Sequence, residues 1–188
     1  MNRWPVGFSR AVGALVALLL AGCTTAQSRV AALERTLAAQ PSATTGLERW
    51  CASRQLADQP RIAARRLPLT GPVPNGLHTA LQIAANDPLG YRHVELVCGT
   101  RVLSDAINWY VPERLTAAMN TALDETDTPF GKVAAPLSFT RETLDTRRGA
   151  LPGCPAATIL SHIALLRLPD GRPLAHLTEC YTRANLAK

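Results

Sequence analysis

Aromatic residues are scarce in this chain: three Trp, three Tyr and three Phe among 188 residues. So few rings argue against a nucleic-acid binder that stacks bases. Long charge blocks are missing too. The net charge of +6 is spread along the chain with no basic run longer than two, and Arg3 and Arg10 near the N-terminus supply two of those charges. This pattern carries no expectation of a nucleic-acid partner. No Gly-x-Gly-x-x-Gly follows a strand signal, and the P-loop, His-Glu-x-x-His and Gly-x-Ser-x-Gly motifs are absent. Nucleotide, zinc-protease and serine-hydrolase chemistry therefore have no sequence support. No two of Cys51, Cys98, Cys154 and Cys180 lie at metal-ligand spacing, and His78, His93, His162 and His176 make no ligand pair with them, so we expect no metal.

What is present suits one folded domain. The apolar fraction of 47% excludes wholesale disorder, and the length fits a single ordinary domain. The apolar run Ala11–Leu20 is too short to span a bilayer comfortably, which takes about 20 residues, but it has the length of a signal-peptide core. It ends in Leu20-Ala21-Gly22-Cys23, which resembles the lipobox of bacterial lipoproteins. That resemblance implies removal of residues 1–22 as a signal peptide and lipidation of Cys23 by palmitate-type chains. The result is a membrane anchor with the protein facing the periplasm. Thr24 stands where an inner-membrane retention signal has Asp, so the outer membrane is the expected site. Each buried methylene contributes about 0.8 kcal/mol, so several acyl chains together hold firmly.

With Cys23 used for lipid, four cysteines remain, and an oxidising compartment favours disulfide bonds between them. Three pairings are open. Residues 23–44 are rich in Ala, Thr, Ser and Gln and read mainly as a tether, although Val30, Leu33 and Leu37 have the spacing of a short helix. The folded domain is expected over 45–188, opening with a helix at 45–56. Strand patterns follow at Tyr91–Cys98 and Val102–Val111, separated by a Gly99-Thr100-Arg101 turn, and again at Leu137–Thr146, Ile159–Leu168 and Leu174–Tyr181. Leu115, Ala118, Met119, Ala122 and Leu123 mark one helix face, and Thr128-Pro129 looks like a helix start with Thr as cap. Short turns between consecutive strands argue for an α+β domain with an antiparallel sheet.

Two charged residues stand in phase with apolar strand positions. Arg92 alternates with Val94, Leu96 and Cys98, and Glu179 with Ala175, Leu177 and Tyr181. A charge on an apolar face is costly unless paired, and such positions are often functional. An arginine fork suits a ligand carboxylate, and a glutamate at the opposite end handles a proton or hydroxyl. A structural salt bridge is the competing reading for both. His162 and His176 are expected to be structural, and Arg147-Arg148 to be a solvated loop tip.

At these residues the sequence resembles the chorismate pyruvate-lyase family. Arg92-His93-Val94-Glu95-Leu96, Val111-Pro112, Thr128-Pro129-Phe130-Gly131-Lys132, Gly171-Arg172-Pro173-Leu174 and Leu177-Thr178-Glu179 follow that family's motif order. The match covers residues 90 to 182. It implies a six-stranded antiparallel sheet with helices around an internal pocket, and pyruvate elimination from chorismate to give 4-hydroxybenzoate without a cofactor. By position, Arg92 would bind the substrate carboxylate, Phe130 would line the pocket and Glu179 would be catalytic. Ungapped alignment puts His93 at the arginine position; the alternation puts Arg92 there with a one-residue shift or bulge. The alternative function is a non-catalytic envelope lipoprotein that binds a small aromatic carboxylate.

Overall fold

The computed structural model describes residues 26–68 and 73–187. Cys23 and the signal-like segment lie outside the described residues. Six strands form one antiparallel sheet: β1 (Ile62–Arg66), β2 (Gly90–Cys98), β3 (Arg101–Tyr110), β4 (Thr140–Arg147), β5 (Leu160–Arg167) and β6 (Pro173–Tyr181), in the order β1-β2-β3-β6-β5-β4. Helices α1 (26–38), α2 (Ala43–Ser53), α4 (Ala117–Glu125) and α5 (Phe130–Val133) accompany it, with the short α3 (Leu77–Leu81) between β1 and β2.

The pleat decides which side chains meet. On β2, Arg92, Val94, Leu96 and Cys98 are buried, while Tyr91, His93, Glu95 and Val97 are half-buried on the other face. Gly99 closes the β2–β3 turn at φ +57°, a left-handed conformation that glycine adopts without strain. The register then shifts between Leu96 and Val97, leaving Leu103 as the extra residue on β3. β5 is buried on both faces, with His162, Ala164 and Leu166 on one and Ser161 and Leu165 on the other. That matches its near-continuous apolar sequence.

One face packs in two clusters. Leu33, Leu37, Leu47 and Trp50 of α1 and α2 meet Val94, Leu96 and Leu160, while Leu123 and Phe130 meet Tyr110, Leu166 and Leu177. On the opposite face, Leu77 and Leu81 of α3 pack on Trp109 and Leu165.

Residues 26–44 are not a tether. Val30, Leu33 and Leu37 are buried in the core, and burying each contributes about 1.5–3 kcal/mol, enough to fold a stretch whose polar composition reads as linker. Gly46 allows the close approach of α1 to α2, since a Cβ there would stand 2.9 Å from Leu37 Cδ2. Arg148, expected as a loop tip, pairs with Glu34 of α1 at 3.0 Å. β1 carries no sequence pattern, because its five residues are Ile62, two alanines and two consecutive arginines. Pro129, not Thr128, caps α5. His162 faces Glu179 rather than His176, which lies across from Leu165 on the other sheet face.

The four cysteines pair as Cys51–Cys98 and Cys154–Cys180, across sequence separations of 47 and 26. The first ties α2 to the end of β2, and the second ties the β4–β5 connection to β6. By loop entropy they contribute about 4 and about 3.5 kcal/mol.

Candidate functional site

Arg92 and Glu179 stand on the same face of the sheet, two strands apart. Arg92 is opposite Asn108, which is opposite Leu177; one pleat further on, Val94 is opposite Ala106, which is opposite Glu179. Both side chains are buried, at 5% and 3% exposure, and His93 points to the other face. The structure therefore puts the alternating arginine, not His93, on the core face.

Glu179 sits in a charge cluster that its own strand does not contain. Its Oε2 accepts from Arg141 of β4 at 2.6 Å and from the Tyr181 hydroxyl at 2.9 Å, with His162 Nδ1 at 3.8 Å. Arg141 also reaches His162 Nδ1 at 3.2 Å. Burial works against the Arg141 charge, but the Glu179 carboxylate and its hydrogen bond outweigh burial and hold the Arg141 pKa above its ordinary value. Burial, reinforced by the Glu179 charge, pushes the Tyr181 hydroxyl well up. Burial lowers His162, with Arg141 adding to the effect and Glu179 opposing it. Among the described residues, every hydrogen bond to the Glu179 carboxylate falls on Oε2. The side chain borders a cavity of about 30 Å³, shared with Asn108, Phe130, Leu166 and Leu177. That space suits a water molecule and does not admit an aromatic ring.

Arg92 belongs to a different hollow, of about 200 Å³, walled by Arg66, Tyr110, Leu123 and Asp124. Its guanidinium donates to the Thr126 carbonyl at 2.9 Å and the Thr128 carbonyl at 2.7 Å, fastening the loop from α4 to α5. Arg66 donates to the same Thr126 carbonyl at 3.3 Å. Burial, and then the neighbouring Arg66 charge, lower the Arg92 pKa. Burial, and then Asp124, raise that of Tyr110.

The two hollows share no lining residue, so the expected convergence of Arg92 and Glu179 on one pocket is corrected: same face, separate spaces. Phe130 lines the smaller one, and its ring packs on Tyr110 of the larger at 5.3 Å between centroids. The aromatic pair is thus part of the partition. Tyr110 is held from behind by Gly90, where a Cβ would lie 2.2 Å from the ring. Arg141 and Arg66 are the residues that sequence reading missed. Neither alternates with apolar neighbours, because β4 is an exposed edge strand and β1 a short one. Among the described residues no His, Cys, Asp or Glu group is arranged to hold a metal ion.

The sheet order and its helices define an α+β domain of the chorismate lyase-like fold. The ligand-binding domain of a GntR-family transcriptional regulator from Bordetella bronchiseptica superposes with a TM-score of 0.50 at 16% identity, covering 68% of this chain and 88% of that one. PhnF from Mycobacterium smegmatis does so with a TM-score of 0.52 at 10% identity, over 78% of this chain and 65% of that one. These likenesses concern the fold alone. No family model matches the chain. The chain belongs to the family of the uncharacterized protein y4mC of Sinorhizobium fredii (strain NBRC 101917 / NGR234), with 37% identity covering 80% of this chain and 72% of that protein.

Proposed function

We propose that this protein is a non-catalytic binding module for a small aromatic carboxylate, carried on a lipid-anchored envelope protein. The observation that carries the reading is the paired arginines. Arg66 and Arg92 face one hollow with the Tyr110 ring in its wall, and each uses one nitrogen on the Thr126 carbonyl. A ligand carboxylate there would relieve the repulsion between the two cations and accept from their remaining N–H groups. The resemblance of the fold to a regulator's ligand-binding domain supports a binding role.

The lyase reading needs Glu179 to reach the same ligand. Its Oε2 is engaged by Arg141 and Tyr181, and the Tyr110–Phe130 pair stands between it and the arginine hollow. Lyase activity is therefore the second reading, to be decided by assay. Processing after residue 22, acylation of Cys23 and an outer-membrane location facing the periplasm complete the proposal. Two disulfides fit an oxidising compartment. Labelled palmitate should enter the wild-type chain and not Cys23→Ser.

The deciding test places the full chain in phosphatidylcholine nanodiscs and incubates it with chorismate while pyruvate is followed. A parallel titration uses 4-hydroxybenzoate. The binding reading expects saturable 4-hydroxybenzoate binding, weakened by Arg92→Lys, and no pyruvate. Pyruvate release that Glu179→Gln abolishes would establish the lyase instead.

A further inference from the structure

Another hollow lies along the face of the sheet opposite Glu179, and Tyr91 and His93 border both it and the arginine hollow. It holds about 630 Å³, within the range of small-molecule sites. Tyr91 and Trp109 form one end of its floor, with ring centroids 4.5 Å apart in an edge-to-face contact. Ile107 occupies the middle. Asp105 stands at the far end, where its Oδ1 lies 2.8 Å from His93 Nε2.

Three features select a ligand. First, Asp105 Oδ2 takes no hydrogen bond among the described residues, and the side chain is 23% exposed. Second, among the described residues neither lysine nor arginine lines this hollow. Arg183 stands in an adjoining hollow that has Asp105 and Pro155 in common with this one, and it makes no ion pair with Asp105 among the described residues. Glu95, across the β2–β3 pair from Asp105, is held by Arg65 at 2.6 Å. Third, Asp105, Ile107 and Trp109 follow one another on one face of β3, so the carboxylate and the ring lie about 13 Å apart at the strand rise of about 3.3 Å per residue. An anion would find a carboxylate and neither lysine nor arginine in this lining. An amine at Asp105, with an apolar body running over Ile107 to the ring pair, would match every element of the wall.

We propose that this face is a second ligand site, for an organic amine with an aromatic or apolar end roughly 10 Å from its nitrogen. The site rests on Asp105, Ile107 and Trp109, none of which lines the arginine hollow, although Tyr91 and His93 border both.

A charge series on one scaffold tests it: 4-phenylbutylamine, 4-phenylbutanol and 4-phenylbutyrate, titrated by calorimetry against the full chain in phosphatidylcholine nanodiscs with empty discs as blank. The amine should bind saturably, the alcohol should displace it about tenfold more weakly, and the carboxylate, whatever it does at the arginine hollow, should not displace the amine. Asp105→Asn should lower amine affinity about tenfold and remove the preference for amine over alcohol, while Glu95→Gln changes it less than about twofold. The wild-type series stands even if Asp105→Asn folds poorly. Displacement of the amine by the carboxylate as readily as by the alcohol, an unchanged amine affinity in a folded Asp105→Asn protein, or no saturable amine binding would each overturn the proposal.

Discussion

Replacing Arg141 by methionine should be among the most damaging single changes in this domain. Arg141 and Glu179 are only 7% and 3% exposed in their side chains, so the pair sits out of water. Removing the cation leaves a carboxylate buried with only the Tyr181 hydroxyl and His162 beside it. Breaking one side of a buried pair typically costs about 3–5 kcal/mol. In a domain of this size each kcal/mol moves the midpoint by roughly 2–4 °C, so Tm should fall by roughly 6–20 °C. Glu179→Met alone strands Arg141 and deprives Tyr181 of its acceptor, at a further cost of about 1–3 kcal/mol for the orphaned hydroxyl. The double variant removes both charges, so its loss should be smaller than the sum of the single losses by about 2 kcal/mol or more. Urea unfolding at pH 7.5 of all four proteins measures this directly. A loss below about 1 kcal/mol for Arg141→Met, the value of an exposed pair, together with additive energies would refute the reasoning.

Acidification should destabilise the fold through His162 and His176, both of whose pKa values burial lowers. The unfolded chain then binds protons that the folded chain refuses, so stability falls once pH drops below about 6.5, by up to about 1.4 kcal/mol per unit for each histidine. Urea midpoints between pH 7.5 and 5 should show that slope, and His162→Asn should flatten it by one histidine's share; an unchanged slope would contradict the assignment. Converting Cys154 and Cys180 to serine should cost about 3.5 kcal/mol by loop entropy. Comparison with the oxidised parent by urea unfolding tests that value, and an undiminished midpoint would argue against the pairing.

The sheet was legible where the alternation of side chains is strong. β2, β3, β5 and β6 bury one or both faces, and their apolar period shows it. β4 is an exposed edge strand, legible only as the alternation over Leu137–Thr146, and β1 is a five-residue edge strand of Ile62, two alanines and two arginines that carries no period. The exposure of β4 hid Arg141, whose partner lies 38 residues away. Glu179 was visible as a charge among apolar neighbours, but its partner was not, because the register of β4 on β5 is a tertiary outcome. Helix α1 reads as linker from its sequence, since it lies in a stretch rich in alanine and polar residues and only Val30, Leu33 and Leu37 are large apolar core positions. The separation of the arginine hollow from the Glu179 cavity depends on how the Tyr110 and Phe130 rings pack, which no local pattern specifies.

The central claim is that Arg66 and Arg92 together receive a ligand's carboxylate. A crystal structure of the protein grown with 4-hydroxybenzoate tests it most directly. The account predicts the acid in the hollow beside Tyr110, with its carboxylate oxygens about 2.7–3.0 Å from both guanidinium groups. A ligand bound elsewhere, or one seated there with its carboxylate turned away from both arginines, would contradict it.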